Sequence, residues 1–403
     1  MRILWVKVGG LWPPTSGGRL RSFHMLSELS GRHRVTLLTT HASSEESEGL
    51  ARALPRCEAV RSLPHAIPKQ GTAAFAASVV GSWLSPLPVD IWRCRVAALA
   101  REVRARLASG SVDLCVADFL ASAPNVPFET GVPIVLFAHN VEHLIWRRLC
   151  GTERRPWRRL PLELEWRKMR RYEARICARA SATITVSEKD RRVLEALAPG
   201  ARMYSVPTGV DVDYFTPNGT PEVQGRLVFT GSMDWYPNED AILHFCGAVW
   251  PLIRRQAPEA SLTVAGRNPS ARLKAAAASA GIELTGTVED IRPHLAQGQV
   301  YVVPLRVGSG TRLKIFEALA MGKPVVATQV GAEGLPLSPG EHYLQAEEPA
   351  EFAHTVVSLL RDPQRRRELA TAGRRLVEER YSWSQVSRQF ETICEHTVAN
   401  HAR

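Results

Sequence analysis

The chain has 403 residues, 45% of them hydrophobic and 23% charged, a composition typical of globular domains that excludes a wholly disordered chain. Its formal net charge is +11, and its length allows two domains of ordinary size. The longest weakly polar run, residues 73–84, is too short to span a bilayer, and the N-terminal segment is typical of a first strand and not of a signal peptide.

Short apolar runs alternate with helical patterns along the first half of the chain, which is typical of βαβ units and parallel sheets. Strands are predicted at residues 2–6, 35–40, 114–118, 134–139, 182–186 and 203–207. Helices are predicted between them at residues 18–30, 92–108, 142–149 and 161–180. The predicted fold class is therefore α/β.

The same alternation continues in the second half. Strands are predicted at residues 227–231, 261–266, 282–286, 300–305 and 324–328, and helices near residues 238–256, 269–280, 289–296 and 312–321. A segment rich in Pro and Gly, 216–225, predicts a linker within 208–225. We expect an N-terminal domain over 1–207 and a C-terminal domain over 208–381. An amphipathic helix, 382–400, would complete the second domain or cross back onto the first.

The segment 300–328 carries the most informative pattern. A buried strand ends at Leu305, a glycine-containing loop follows, and a helix begins near Arg312. A helix N-terminus offers free N–H groups and the positive end of the dipole, which suits a phosphate. Arg312 and Lys314 add two cations there, and Glu317 could accept hydrogen bonds from a ribose diol. A surface helix with ordinary charged residues is the alternative.

EALAMGKPVVAT (317–328) resembles the donor-binding segment of the retaining GT-B glycosyltransferases, especially glycosyltransferase family 4, and GSGTRLKIFEA resembles an exopolysaccharide-associated subgroup. The resemblance implies two Rossmann-like domains facing across a cleft, with the donor mainly on the C-terminal one. It places Glu317 at the ribose and Ser309, Gly310 and Thr311 beside the donor. Ser309 stands where the family has a Glu next to the donor sugar.

Three further donor-side motifs follow from the same resemblance. Gly231 and Ser232 form the turn after a strand where the family has Arg and then Lys, so Arg312 and Lys314 would supply the missing charge. Arg267 would flank the nucleobase, and the backbone at Val288 would contact its edge. The base, uracil or guanine, stays open. These segments could equally be ordinary βα turns, and Asn238 could be only a helix cap.

In the N-terminal domain, Gly17 and Gly18 match the family's glycine-rich loop over the donor phosphates. Arg19 and Arg21 begin the next helix and could meet phosphate or acceptor charge. The alternative is a tight turn followed by solvated arginines.

Two strand ends of this domain carry polar residues. His139 matches a family histidine that lies near the sugar and acceptor, where it orients hydroxyls or handles a proton. Asn140 and Asp118 are acceptor-side candidates. A structural histidine is the alternative.

The excess positive charge is concentrated in one segment, since residues 147–179 hold 12 Lys and Arg against 4 Asp and Glu. Within 162–180, apolar residues recur at helical spacing among cations. The apolar set is Leu162, Trp166, Met169, Tyr172, Ile176 and Ala180. Such a helix could lie on an anionic membrane or pack as a surface helix. Nucleic-acid binding is not expected, because no recognition motif accompanies the charge.

The predicted function is transfer of a sugar, with retention, from a nucleotide diphosphate sugar to a glycan, a lipid-linked intermediate or a small molecule. No cofactor and no metal are expected, since no DxD sequence ends a strand and the seven cysteines include no CxxC pair. Unpatterned cysteines predict a cytoplasmic protein, either free or peripheral at the inner face of the membrane. A nucleotide-sugar epimerase and a non-catalytic nucleotide-binding relative are the alternatives.

Overall fold

The computed structural model describes residues 1–153, 155–307 and 312–401. The chain divides into two compact units, Met1–Pro207 with Val386–Arg403, and Thr208–Gln385. Each unit is built on one parallel sheet with helices between its strands, so the α/β fold class predicted from the alternating pattern is confirmed. None of the described helices is long and apolar enough to span a membrane.

The sheet of the first unit has seven parallel strands in the order β3-β2-β1-β4-β5-β6-β7. They are β1 (Arg2–Lys7), β2 (Arg34–His41), β3 (Ala59–Pro64), β4 (Leu114–Asp118), β5 (Ile134–Ala138), β6 (Ala182–Thr185) and β7 (Met203–Ser205). The strand order reverses between β1 and β4, and such a switch point opens a crevice at the carboxyl ends of the strands. β4 and β5 are buried at every position, as expected for parallel strands covered on both faces.

Eight helices connect these strands in the described part of the first unit. They are α1 (Gly17–Ser30), α2 (Ser44–Ala53), α3 (Ala73–Trp83), α4 (Val89–Trp92), α5 (Ala97–Ala108), α6 (Glu142–Thr152), α7 (Pro156–Arg179) and α8 (Glu188–Leu197). A 3₁₀ turn, Leu120–Asn125, follows β4. α7 begins five residues before the predicted start at 161, because Pro156 fits the first helical turn, where its missing N–H is no loss.

The apolar stripe predicted within 162–180 belongs to the core of the first unit. Met169, Tyr172 and Ile176 are at most 4% exposed and pack among the buried residues around β4 and β5. The interpretation of this stripe as a membrane-binding face is therefore wrong, since a buried stripe cannot contact lipid. The alternative, a helix packed on its own domain, describes this face of α7.

The sheet of the second unit has six parallel strands in the order β10-β9-β8-β11-β12-β13. They are β8 (Arg226–Thr230), β9 (Ser261–Ala265), β10 (Glu283–Gly286), β11 (Val300–Val303), β12 (Val325–Ala327) and β13 (Leu344–Gln345). Its helices are α9 (Tyr236–His244), α10 (Trp250–Gln256), α11 (Ala271–Ala280), α12 (Arg292–Gln297), α13 (Leu313–Ala320), α14 (Gln329–Ala332), α15 (Pro349–Arg361) and α16 (Pro363–Leu376). Here the switch point lies between β8 and β11.

The last helix, α17 (Trp383–His401), begins in the second unit and belongs to the first from Val386 onward. Phe390 is fully buried, and its ring centroid lies 5.7 Å from that of Trp5 and 5.0 Å from that of Phe137. The end of the chain therefore supplies part of the core around β1 and β5.

Candidate functional site

A cavity of about 360 Å³ opens at the switch point of the second sheet. It is lined by Thr230, Gly231, Ser232, Trp235, Asn238, Ile291, Arg312, Leu313, Lys314 and Glu317. These residues come from the end of β8, the start of α9, the segment before α12 and the first turns of α13. The structure thus gathers the predicted donor residues Gly231, Ser232, Arg312, Lys314 and Glu317 in one place.

Lys314 is held in the wall of this cavity by a hydrogen bond between segments far apart in sequence. Its Nζ donates to Asn238 Oδ1 at 2.7 Å and lies 4.1 Å from the ring centroid of Phe229. Asn238 is 3% exposed, and its Nδ2 donates to the carbonyl of Ser232 at 2.8 Å. Asn238 therefore ties the lysine to the turn after β8, which is more than a capping role.

Burial shifts both members of the charged pair on α13 toward neutrality. Burial lowers the pKa of Lys314 to about 7, although Glu317 opposes the shift. Burial raises the pKa of Glu317 to about 7, and here Lys314 opposes it. The two groups stand three residues apart on one helix, where side chains are neighbours. Near neutral pH, this pair can therefore exchange a proton with a bound anion at little cost.

Arg312 precedes α13 and is 3% exposed, and burial lowers its pKa. Its guanidinium carbon lies 5.6 Å from the ring centroid of Trp235. Arg312 and Lys314 lie at the N-terminus of α13, which is the positive end of the helix dipole. The first turn contains no acidic residue that would balance their charge. This concentration of positive charge is unfavourable in the empty protein and favours an anion in the cavity.

Glycine is needed in the turn after β8 and in the turn after β9. Gly231 has φ +154°, and a Cβ there would lie 2.6 Å from Asn238 Nδ2 and 2.7 Å from Lys314 Nζ. A Cβ on Gly266 would lie 1.7 Å from the Gly231 carbonyl oxygen. The Gly231 backbone lies close to Lys314, and Gly266 lies close to the Gly231 carbonyl, because neither residue carries a side chain.

The predicted base-side residues lie beyond the next strands of the sheet. Arg267 follows β9, and its Nε donates to Ser232 Oγ at 2.7 Å. Val288 is partly buried and follows β10. A second cavity, of about 690 Å³, is lined near these loops by Asn268, Pro269, Thr285, Gly286 and Thr287, among others. Ser309, Gly310 and Thr311 lie outside the described residues.

In the first unit, the predicted Asp118 and His139 form one buried network at the switch point. Arg21 Nη1 donates to His139 Nδ1 at 2.8 Å, so the ring proton resides on Nε2, which donates to Asp118 Oδ1 at 2.7 Å. Trp5 Nε1 donates to Asp118 Oδ2 at 3.0 Å, and Lys7 Nζ lies 3.4 Å from the same oxygen. All polar atoms of the imidazole are thus engaged inside the domain.

The charges of this network follow from burial. Burial lowers the pKa of His139 to about 3 and that of Arg21 to about 10. Burial alone would raise the pKa of Asp118, but Lys7 and His139 hold it well below its usual range. Asp118 is therefore ionised and His139 neutral at pH 7. Lys7 could have been noticed in the sequence as a cation ending an apolar strand.

Phe119 completes the network in a backbone conformation that non-glycine residues rarely adopt, with φ +69°. Its ring stacks on His139 with centroids 3.7 Å apart, and Lys7 Nζ lies 4.0 Å from its centroid. A Cβ on Gly18 would lie 2.5 Å from Phe119 Cζ, so the ring requires glycine there. Gly17, the first residue of α1, is exposed.

The remaining predicted acceptor-side residues make local contacts. Arg19 Nη1 donates to the Trp12 carbonyl at 3.3 Å, and its Nη2 donates to the Gly9 carbonyl at 3.2 Å, so Arg19 holds the loop after β1. Asn140 is exposed, and its Nδ2 donates to Glu142 Oε1 at 3.3 Å.

One cluster among the described residues has the donor types of a metal site. Ligand atoms of His33, Glu391 and Glu395 lie within 4.8 Å of one another. Glu391 already accepts a hydrogen bond from Arg32 Nε at 2.7 Å. His33 precedes β2, so this cluster lies at the amino end of the sheet, opposite the switch point.

Two family models match the chain. The model described as Glycosyltransferase Family 4 matches residues 16–214, and the model described as Glycosyl transferases group 1 matches residues 224–362. Together they include the strands β2 to β13, and with β8 and β11 the switch point of the second sheet.

Curated relatives are similar over part of their length. The phosphatidyl-myo-inositol mannosyltransferase of Mycobacterium leprae is 30% identical over 52% of this chain and 59% of its own. The MMP alpha-(1->4)-mannosyltransferase of Mycolicibacterium hassiacum is 28% identical over 67% of this chain and 66% of its own. The chain thus matches about three fifths to two thirds of the length of these relatives.

Solved structures with the same fold match nearly the whole chain. Sucrose-phosphate synthase from Thermosynechococcus elongatus superposes with a TM-score of 0.68 at 16% identity, covering 99% of this chain and 100% of that one. Anabaena HepE in complex with UDP superposes with a TM-score of 0.67 at 14% identity, covering 98% of this chain and 100% of that one.

Proposed function

Because the chain belongs to glycosyltransferase family 4, with the GT-B fold, we propose that it transfers a sugar from a nucleotide diphosphate sugar to an acceptor. The observation that carries this proposal is the pair of cations at the N-terminus of α13, the buried Arg312 and the partly buried Lys314. A diphosphate bound there would neutralise both cations and the helix dipole together.

The same geometry supplies the principal catalytic effect. When the bond between sugar and phosphate breaks, negative charge grows on the departing diphosphate, and preorganised cations in a partly dry site stabilise it. Because two cations and a helix N-terminus already face this position, we propose that transfer needs no divalent metal. Glu317 would accept hydrogen bonds from the ribose, one turn further along α13.

We propose retention of configuration by a front-face route, in which the departing phosphate accepts the proton of the acceptor hydroxyl. His139 is a poor proton acceptor here, because burial lowers its pKa to about 3 and both ring nitrogens are engaged. In this proposal His139 positions Arg21, because its Nδ1 accepts a hydrogen bond from the Arg21 guanidinium. Asp118 fixes the tautomer that makes this possible.

For the acceptor, we propose a glycan or a lipid-linked intermediate of polysaccharide synthesis, and for the donor a hexose linked to UDP or GDP. The name of one relative contains a membrane lipid, phosphatidyl-myo-inositol, and HepE was solved with UDP. We also propose a cytoplasmic location, which the seven free cysteines, six of them buried, support.

The test begins with binding, measured by thermal shift and calorimetry with UDP, GDP, UDP-glucose and GDP-mannose. Arg312→Ala should remove the stabilisation by whichever nucleotide binds. Slow release of nucleoside diphosphate from the matching nucleotide sugar would then support a transferase, whereas interconversion of the donor sugar without an acceptor would indicate an epimerase. Binding without either reaction, with a panel of acceptors present, would indicate a non-catalytic protein.

A further inference from the structure

α7 carries a second stripe, which lies on the side of the helix away from the core. Trp157, Leu160 and Leu164 are 71%, 72% and 47% exposed. Arg167 and Arg171, both exposed, continue the same line at alternating spacings of three and four residues. One edge of α7 therefore presents aromatic and aliphatic side chains to solvent and then cations.

The neighbouring helices extend this exposed apolar surface. α6 packs along α7, with Cys150 Sγ 3.2 Å from Glu163 Oε2, and exposes Ile145 and Leu149 by 47% and 50%. The end of α3 is attached to α7 through Lys168, whose Nζ donates to the Ser82 carbonyl at 2.7 Å.

The end of α3 adds two more large apolar side chains. Trp83 and Leu84, which adjoin Ser82, are 57% and 86% exposed. We call the exposed set Trp83, Leu84, Ile145, Leu149, Trp157, Leu160 and Leu164 the apolar patch. Exposed apolar side chains in such a number, on α7 and on two helices that contact it, indicate an interaction surface.

The charge around the patch is positive and only partly compensated within the domain. Arg167 pairs with Glu163 at 2.7 Å. Arg147, Arg148, Arg158, Arg170 and Arg171 are exposed and pair with no acidic residue that the structure describes. A partner that covers the patch must therefore be anionic at its border and apolar at its centre.

We propose that the apolar patch and its arginine border dock the protein on an anionic lipid bilayer. Trp and Leu side chains enter the boundary between headgroups and acyl chains, while the arginines remain at the level of the lipid phosphates. None of these residues lines the cavity at α13, so membrane docking stands independently of the proposed sugar transfer.

Vesicle co-sedimentation of the full chain tests this surface without any nucleotide sugar. We expect binding to vesicles of phosphatidylcholine with 30% phosphatidylglycerol, and little binding to pure phosphatidylcholine. Arg158→Gln with Arg171→Gln should weaken binding about 30-fold, from about 1 kcal/mol per arginine near an anionic surface. Trp157→Ala with Leu160→Ala should weaken it about tenfold or more, since the apolar contact is lost.

A matched control comes from two exposed arginines of α16, changed as Arg367→Gln with Arg375→Gln, which should leave vesicle binding unchanged. Circular dichroism should show that the variants fold. We expect them to fold because the substituted side chains are exposed. Equal binding to both vesicle types, or full binding by the Trp157 and Leu160 variant, would overturn the proposal. The proposal would also be overturned if light scattering showed that the natural protein is a dimer and that the Trp157 and Leu160 variant is a monomer, because the patch would then contact a second copy. If the chain binds vesicles but no nucleotide sugar, the result would contradict the proposed sugar transfer and leave the proposed membrane docking supported.

Discussion

Replacing Lys314 with Met should stabilise the empty protein and weaken nucleotide binding at the same time. The pKa of Lys314 falls from 10.5 to about 7, and at about 1.4 kcal/mol per unit this shift represents at most about 5 kcal/mol of unfavourable burial. The side chain is only partly buried, so solvent screening reduces this figure. Met would also leave the buried Asn238 oxygen without its donor, which costs about 1–3 kcal/mol.

The net gain should be about 1–3 kcal/mol at pH 7, or about 3–10 °C in Tm for a unit of this size. Because the folded-state pKa lies below the unfolded one, the cost of the lysine is full below pH 7 and fades as pH rises toward 10.5. The Tm difference between Lys314→Met and the natural protein should therefore shrink from pH 7 to pH 9. Scanning calorimetry across this range measures it.

Nucleotide affinity should change in the opposite direction. A hydrogen bond between a charged donor and a phosphate contributes about 1.5–3 kcal/mol, so Lys314→Met should weaken binding of UDP or GDP about 10- to 150-fold. Lys323→Met is the matched control, because Lys323 is 6% exposed and bonds Glu222 and the Ala296 carbonyl. It should lower Tm and leave affinity unchanged. A lower Tm with unchanged affinity for Lys314→Met would refute a ligand-binding role.

Three other substitutions and conditions have defined outcomes. Glu317→Gln should weaken UDP or GDP binding about tenfold, by loss of one charged hydrogen bond to the ribose, and leave pyrophosphate binding unchanged in calorimetry; an equal loss for both would contradict ribose binding. Pyrophosphate should bind the natural protein more tightly as pH falls from 8 to 6, since Lys314 and Glu317 both take up protons near pH 7; a flat profile would contradict this coupling. Asp118→Asn should destabilise the protein in urea by about 3–5 kcal/mol because Lys7 loses its buried counter-ion. The lowered folded-state pKa of Asp118 makes this contribution present above pH 3.8 and lost in stronger acid, so the variant should differ little from the natural protein at low pH.

The sequence predicted the sheets and the donor segment because both depend on local patterns. Alternating apolar runs identify buried parallel strands, and the residues from Arg312 to Glu317 lie close together in sequence. The edge strand β3 was missed, since an edge strand is only partly buried and its apolar pattern is weak. The bond between Asn238 and Lys314 could not be predicted, because it joins side chains 76 residues apart.

The two stripes of α7 show a different limit of sequence patterns. Helical spacing identifies apolar stripes but not which of them faces the core. The stripe with Met169 and Tyr172, for which the sequence allows a membrane face or a packed helix, is buried, whereas Trp157 and Leu160 precede the predicted start of the helix. The predicted helix begins at residue 161, whereas α7 begins at Pro156 and continues through Pro161.

The path of α17 limits how this protein can be divided or recombined. The chain leaves the first unit after Pro207 and returns to it at Val386, bringing Phe390 into contact with Trp5. A fragment ending at residue 207 would expose the apolar surface that Phe390 covers and would tend to aggregate. A chimera with another donor specificity should therefore be made as an internal replacement of 208–385 that keeps the native terminal helix, and not as an exchange of C-terminal halves.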